Sequence, residues 1–279
     1  MGNLIGLLVP LEGEGFTWPN WHVDFFAEHE RPGVGSFAIR PLFPDAGLDW
    51  INNASVQALL GLLIAIGFWL VVSHNQKVVP GKRQFIGEFL YNMLRNTVAR
   101  DILGHDYRRF LPFLIAVFTF ILVNNWFGEF FIFMFPTFSR IEYPYALAAI
   151  VWIMYNAVGI AKFGPGGYLK KMVLPAGVPV FLWVLIIPLE FLSNIIVRPV
   201  TLALRLFANM FGGHLVVLVF VLGGTFLLQM GIPYAFAGGA SLALSLLILG
   251  LEVFIGALQA YIFTVLTAQY VASALTEEH

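Results

Sequence analysis

The amino-acid sequence predicts an all-α protein that crosses a lipid bilayer about five times. Hydrophobic residues make up 59% of the 279 residues and charged residues only 11%, and the apolar residues form long runs. A soluble domain carries about 25% charged residues. A helix needs about 20 apolar residues to span the hydrocarbon core, where it satisfies its own backbone groups. These observations together favour a polytopic helical membrane protein.

The apolar runs differ in length, and the last two are much longer than one ordinary crossing. In chain order they cover residues 55–73, 110–134, 145–161, 175–228 and 236–273. As straight helices the fourth and fifth runs would be about 80 Å and about 57 Å long. Two alternatives follow. Each long run is either broken or steeply tilted across the membrane, and the candidate break points in the fourth run are Pro179, Pro188 and Pro199.

Charged residues outside the runs predict the orientation. The segment 77–109 is rich in lysine and arginine, and a second basic segment follows the third run. Cytoplasmic segments carry the excess of these residues, so we expect 77–109 to be a basic cytoplasmic loop. Residues 1–54 contain seven acidic residues and two arginines. They predict an acidic N-terminal arm outside the membrane, ahead of a membrane domain 55–279 whose C-terminus is cytoplasmic.

Composition and motifs exclude several classes of function. A net charge of −1 gives no basic surface for nucleic acid, and the absence of cysteine removes thiolate sites. No H-E-x-x-H or G-x-S-x-G motif indicates a membrane enzyme. No internal repeat is visible, which weakens the alternative of an inverted-repeat transporter. We therefore expect no catalytic residue, no bound metal and no cofactor.

Charged side chains inside the last two runs are the candidate functional residues. A charge near the bilayer centre costs at least about 2.5–3.5 kcal/mol, so each is a hypothesis for a functional site. For Glu190 and Arg198, a structural pair or an interfacial anchor is an equally good explanation. Arg205 lies between TLAL and LFANMFGG and is harder to explain as structural. The remaining titratable residues of these runs are His214 and Glu252.

Helical periodicity separates these residues into two sets, because each residue turns the helix by about 100°. Arg205 and Asn209 share one face, and His214 lies on the opposite face. In the last run a common stripe holds Ser245, Glu252, Gln259 and Tyr270. Arginine keeps its charge at physiological pH, whereas histidine exchanges protons near neutrality. The pattern predicts a fixed positive charge beside a separate proton-transferring set.

Two segments resemble subunit a of the rotary F-type ATP synthases. They are RPVTLALRLFANMFGGHL at 198–215 and LQAYIFTVLTAQY at 258–270. Residues 87–127 are similar to the segment that enters the first hairpin of that family. The resemblance extends from Gly87 to the C-terminus, about 190 residues.

The resemblance implies a membrane stator beside a ring of c subunits, with two offset aqueous half-channels along two long, tilted helices. It thereby favours the tilted alternative. By motif, Arg205 corresponds to the essential arginine that faces the ring carboxylate, with Asn209 and Gln259 near it. His214 and Glu252 correspond to the polar pair of a half-channel. Supporting roles are expected for Glu190, Asn194, Arg198, Ser245 and Tyr270.

The expected function is proton translocation coupled to ring rotation in a bacterial cytoplasmic membrane. The expected partners are the c ring, the b-subunit peripheral stalk, the other ATP synthase subunits and the lipid bilayer. The alternatives are a self-contained transporter and a structural anchor. A structural anchor would leave the charge of Arg205 unexplained. If the last two helices form an antiparallel hairpin around 229–235, then His214 and Glu252 reach one depth. We therefore expect them to exchange a proton directly or through water.

Overall fold

The computed structural model describes residues 52–129, 136–173 and 180–276. The predicted N-terminal arm and the candidate break at Pro179 lie outside these residues. Within them the chain forms helices and no strand, and five helical stretches are long and apolar enough to cross a membrane. The predicted fold class is confirmed.

Helix α1 spans Asn53–Ser73, close to the first predicted run. Its start is fixed by a reciprocal cap. The Ser55 backbone N–H donates to Asn52 Oδ1 and the Asn52 N–H donates to Ser55 Oγ, both at 2.9 Å. These bonds satisfy backbone donors that have no partner inside the helix. Most of the larger apolar side chains of α1 are exposed, as expected for a helix with lipid around it.

The segment predicted as a basic loop is largely helical. Helix α2 spans Lys82–Met93, a π-helical stretch spans Leu94–Arg100, and two short turns cover Asp101–Leu103 and Gly104–Asp106. Helix α3, Tyr107–Glu129, follows directly. The cause is a buried apolar face on this charged segment, formed by Leu94, Val98, Ala99 and Leu103. Packing of that face against the core stabilises helix where charge alone predicts a loop.

Helix α4 covers Glu142–Val173 and is longer than the predicted run 145–161. A kink divides it at Gly164, whose φ of 73° is accessible to glycine at little cost. Pro165 then restarts the helix, because proline fits the first turn. The second predicted basic segment therefore lies on helical backbone on both sides of the kink, with Lys162 before it and Lys170 and Lys171 after it.

The fourth run is one continuous helical stretch of 47 residues, Trp183–Gln229. It consists of α5 (Trp183–Leu192), a π-helical turn (Ser193–Val197) and α6 (Arg198–Gln229). The alternative of breaks is wrong at Pro188 and Pro199, where the helix continues. The π-helical turn lies between the two prolines, and wider turns of this kind absorb disturbed hydrogen bonding without ending a helix.

The fifth run is helix α7, Ile232–Leu275, which is 44 residues long. At 1.5 Å per residue the last two helical stretches measure about 70 Å and about 66 Å. Each therefore lies at a steep tilt or extends well beyond a hydrocarbon core of about 30 Å. Only Met230 and Gly231 separate α6 from α7, which makes them an antiparallel pair. The Ser241 hydroxyl donates to Phe220 O at 2.7 Å across this pair.

Helix α7 contacts α3, α4 and α6, and α3 in turn contacts α1. The core brings together apolar side chains from α3, α4, α6 and α7. Its fully buried members include Leu114, Ile121, Val151, Leu202, Leu206, Met210 and Phe263. This packing places the last turns of α3 beside the middle of α6 and α7, where the predicted site residues lie.

Candidate functional site

Three titratable side chains from three helices meet in a buried cluster. Glu129 ends α3, His214 lies in α6 and Glu252 lies in α7, and one ligand atom of each falls within 4.8 Å of the other two. The expected proximity of His214 and Glu252 is therefore observed. The contact also includes Glu129, whose Oε1 lies 3.5 Å from His214 Nδ1.

Backbone carbonyls hold the cluster in position. Asn125 Nδ2 donates to Gly256 O at 2.8 Å, and Trp126 Nε1 donates to Val253 O at 3.1 Å, so α3 is fastened to the turn of α7 that follows Glu252. His214 Nε2 lies 2.8 Å from Gly128 O. A carbonyl only accepts hydrogen bonds, so Nε2 carries the proton in this arrangement. Nδ1 is thereby left to exchange a proton with its carboxylate neighbours.

Gly213 lets the Glu252 carboxyl group lie against α6. A Cβ atom added at Gly213 would fall 1.9 Å from Glu252 Oε2, far inside any permitted contact. The Glu252 carboxyl group can therefore keep this position only with glycine at position 213. Any larger residue at position 213 has to displace the carboxyl group or separate the two helices.

The cluster is buried, yet several of its polar atoms have no protein partner. The side chains of His214 and Glu129 are 14% and 4% exposed, and Glu252 is 7% exposed. Within the described residues, Glu129 Oε2, Glu252 Oε2 and His214 Nδ1 make no hydrogen bond. Buried polar atoms nearly always have a protein or water partner. The three groups also form the kind of set that ligates zinc, and the expected absence of a metal stays a prediction.

Arg205 lies on the outward face of α6. Its side chain is exposed, like those of Leu204 and Ala208, and Asn209 beside it is half-buried. Arg205 makes no ion pair or hydrogen bond to any residue that the structure describes. The arginine and the buried cluster thus occupy different sides of the same helix, as the periodicity predicts.

A second polar site surrounds a cavity of about 230 Å³. Asn194 Nδ2 donates to Glu190 Oε2 at 3.1 Å and to Met172 O at 2.8 Å. The Arg198 guanidinium lies 5.4 Å from the centroid of the Tyr270 ring. Four of the predicted supporting residues, Glu190, Asn194, Arg198 and Tyr270, line this one cavity.

Within the residues that the structure describes, the other predicted site residues of α7, Ser245 and Gln259, make no contact with the cluster or the second cavity that indicates a role. Ser245 is buried, and its hydroxyl donates to Leu242 O of its own helix at 2.8 Å. Gln259 is buried, and its Nε2 has no partner among the described residues. The alternative of a Glu190–Arg198 ion pair finds no support in the described part of the chain, where Glu190 is bonded to Asn194 and Arg198 stacks on Tyr270.

Sequence reasoning missed Glu129. It is the one charged residue in the run 110–134, so the rule that singles out Arg205 applies to it equally. Tyr155 and Lys171, which line the second cavity, were also missed. Their identity alone gives no signal, because tyrosine and lysine are ordinary at the ends of membrane helices.

Comparison with known proteins gives a consistent result. The family described as ATP synthase A chain matches residues 55–272, which include Arg205 and the whole buried cluster. A protein of Nocardioides sp. named ATP synthase subunit a is 42% identical over 270 residues, 96% of each chain. Proteins of the same name from Pseudarthrobacter chlorophenolicus and Frankia alni are each 38% identical. The aligned regions cover 89% of this chain and 94% of the first protein, and 96% of this chain and 90% of the second.

Proposed function

This chain belongs to the ATP synthase A chain family, and we propose that it is the proton-translocating stator subunit of an F-type ATP synthase. It is a multi-pass membrane protein, and its relatives are bacterial. In this proposal it has no catalytic site and passes protons to and from a ring of c subunits in a bacterial cytoplasmic membrane. The observation that carries the proposal is an exposed Arg205 with no partner among the described residues, on the side of α6 opposite a buried titratable cluster.

Arg205 is proposed to face the ring. A guanidinium at membrane depth needs an anionic or polar partner, and within the described residues this chain supplies none. A carboxylate carried by the neighbouring ring meets that need. Because the guanidinium stays charged, it attracts an ionised ring carboxylate and repels a proton that takes the direct route. Asn209 and Gln259 are the proposed polar neighbours of this contact.

The buried cluster is proposed to be the last part of the outer half-channel. His214 Nδ1 lies 3.5 Å from Glu129 Oε1, and Glu252 lies in the same cluster, so the imidazole can accept a proton and pass it on. The cluster atoms without protein partners are expected to bond to water that reaches them from outside. Glu129 and Glu252 are thus proposed to deliver protons to the ring together with His214.

The second cavity is proposed to be the inner half-channel. Along α6, Arg205 lies about 10 Å from the level of Arg198 and about 13 Å from that of His214. The arginine therefore separates the two polar sites in depth. A proton that leaves the cluster has to bind a ring carboxylate and travel with the ring before it reaches the cavity lined by Glu190 and Asn194.

The proposed orientation follows the basic residues of 77–109. That segment faces the cytoplasm, residues 1–54 lie outside, and the cytoplasmic face meets the b-subunit stalk. A cysteine at Asn96, which is exposed on the π-helical stretch, should resist an impermeant thiol reagent added to intact cells. A cysteine at Ser36 should react. The reverse labelling pattern would contradict the orientation.

The proposed role of Arg205 is tested by proton-driven ATP synthesis in membrane vesicles. Arg205→Ala and Arg205→Lys should both abolish synthesis while the subunit remains in the membrane. Lysine should fail because an ammonium lacks the planar fork and can lose its proton when desolvated. Normal synthesis with Arg205→Ala would contradict the stator role. Normal synthesis with Arg205→Lys alone would contradict the specific need for a guanidinium.

The alternative of a self-contained transporter has its own test. The full chain, reconstituted alone in liposomes, should conduct no protons, because each half-channel reaches only part of the way. Proton flux in these liposomes that equals the flux of the assembled membrane sector would contradict the proposal.

A further inference from the structure

A large cavity lies beside α1, α2 and α3, and none of its lining residues belongs to either polar site. Its volume is about 660 Å³. Basic and aromatic polar residues line one part of it, and the rest is apolar. The polar part consists of Arg95, Arg108, Tyr91 and Tyr107, and the apolar part includes Trp69 and Ile115.

Two arginines of this cavity converge on one tyrosine. Arg95 Nη2 and Arg108 Nε lie 3.5 Å and 3.3 Å from Tyr107 Oη, and each guanidinium is 5.9 Å from the centroid of its ring. Neither forms an ion pair with a carboxylate in the described part of the chain. Two guanidinium groups held this close without a counterion favour an anion between them.

An apolar groove of about 370 Å³ continues from the cavity. It runs between α1 and α3, and it shares Trp69 and Ala116 with the cavity. Trp69 Nε1 donates to Thr119 Oγ1 at 3.0 Å, which fixes the indole ring where the two spaces meet. The rest of the groove is lined mainly by apolar side chains such as Leu62, Ile66 and Phe120.

We propose that the cavity and the groove together bind one anionic phospholipid. Its phosphate group lies between Arg95 and Arg108, and one acyl chain lies along the groove between α1 and α3. Basic side chains at the membrane surface attract anionic lipids, and tyrosine and tryptophan are typical of the headgroup level. A free phosphate ion matches only the polar part of the site. The adjoining apolar groove therefore favours a lipid over a soluble anion.

Bound in this way, the lipid adds to the contact between α1 and α3. The groove residues of α1 are largely exposed, among them Leu62, Ile66 and Leu70. A lipid chain between α1 and α3 covers this surface from one side. It thus adds apolar contact between the first crossing and the helix that carries Glu129.

The test uses the full chain in detergent, freed of lipid, with tryptophan fluorescence as the readout. Phosphatidylglycerol with brominated acyl chains should quench Trp69, seen as the quenching that Trp69→Phe removes. Brominated phosphatidylcholine should quench it much less. The double variant Arg95→Gln/Arg108→Gln should weaken phosphatidylglycerol binding about thirtyfold, since two interfacial charges are lost.

A matched control removes the same charge elsewhere. The double variant Arg83→Gln/Arg100→Gln alters two exposed arginines that do not line the cavity, and it should bind phosphatidylglycerol normally. An equal loss in both double variants would mean general surface charge and would overturn the proposal. Equal quenching by the two brominated lipids would overturn it as well.

A second variant keeps both arginines and fills the junction. Ala116→Phe places a ring where the cavity meets the groove, so it should abolish the quenching of Trp69. Millimolar inorganic phosphate should not displace the lipid, and displacement would indicate a site for free phosphate instead. Phosphatidylglycerol should also copurify with the assembled complex and be lost with Ala116→Phe. Its absence from the unaltered complex would show that another subunit covers the groove.

Discussion

In the buried cluster of α3, α6 and α7, three titratable side chains lie within 4.8 Å of one another, and several of their polar atoms have no hydrogen-bond partner among the described residues. In the second site, Asn194 bonds to Glu190 and Arg198 stacks on Tyr270 around about 230 Å³ of open space. The first arrangement suits proton transfer between neighbouring groups. The second suits passage of water past side chains that already have partners.

The two arginines of α6 show the same contrast. Arg198 has an aromatic partner within the chain, whereas Arg205, seven residues later, has none among the described residues. Seven residues make about two turns, so both lie on similar sides of the helix. The difference lies in what the chain provides around them. Arg198 is held within this chain's own structure, and Arg205 is the arginine that we propose to contact the ring.

Within the two polar sites, the largest effect is expected at the centre of the cluster. His214→Leu and Glu252→Leu should each slow proton flux through the assembled membrane sector at least about tenfold, because each removes a proton-transferring group. The double variant should be little slower than the slower single variant, since the two residues act in one step. Multiplied losses in the double variant would show that they serve separate steps.

A smaller loss is expected at Glu129. Glu129→Gln keeps the shape of the side chain but removes its titration, so it should slow proton flux severalfold, and Glu129→Asp should recover part of the rate. Glu88→Gln is the control, because that carboxylate lies in α2, outside the cluster. An unchanged proton flux with Glu129→Gln would show that only His214 and Glu252 of the cluster take part in proton transfer.

The close packing of Gly213 against Glu252 provides a test without changing any polar group. Gly213→Ala should displace the Glu252 carboxyl group and slow proton flux a few-fold while assembly stays normal. Gly223→Ala is the matched control in the same helix, because an added Cβ there meets nothing within 4 Å. Equal rates in the two variants would show that the position of the carboxyl group is not limiting.

The smallest effect is expected in the second cavity. Asn194→Ala removes the amide that bonds Glu190 and Met172 O. Several other polar side chains line the same space, so we expect ATP synthesis to fall by less than about threefold. A loss as large as that of Glu252→Leu would remove the contrast between a proton-transfer cluster and an open passage.

The sequence predicts the helical membrane fold because an apolar run of sufficient length has one stable form in lipid. It predicts less well where two signals compete. Leu94 and Val98 give the charged segment 77–109 a buried face, so helix forms where charge predicts a loop. Likewise the π-helical turn Ser193–Val197, which lies between Pro188 and Pro199, lets the helix continue through both prolines. That compensation depends on backbone geometry, which residue type does not specify.

The candidate site was predictable only in part, because the sequence determines positions within one helix but not the contacts between helices. Periodicity separates Arg205 from His214, because both lie on one helix whose geometry is known. Counting from the hairpin turn also brings Glu252 to the depth of His214, but it does not reveal that a residue of a third helix joins them. Contact with Glu129 depends on how the end of α3 packs against α7, fastened by Asn125 and Trp126, and on the hydrogen bond between His214 and Gly128 O. A single glutamate in an apolar run marks Glu129 as a candidate functional residue, but it does not identify the residues that Glu129 contacts.

The central claim is that the outward face of α6 that carries Arg205 meets the ring, and disulfide formation tests it directly. The chain contains no cysteine, so Ala208→Cys places a single thiol on that face, one turn from Arg205. Leu63→Cys, exposed on α1, is the control. A second cysteine is placed beside the membrane carboxylate of the c subunit. Oxidation should link the ring to position 208 and not to position 63. The absence of a link at 208, or equal links at both positions, would contradict the account.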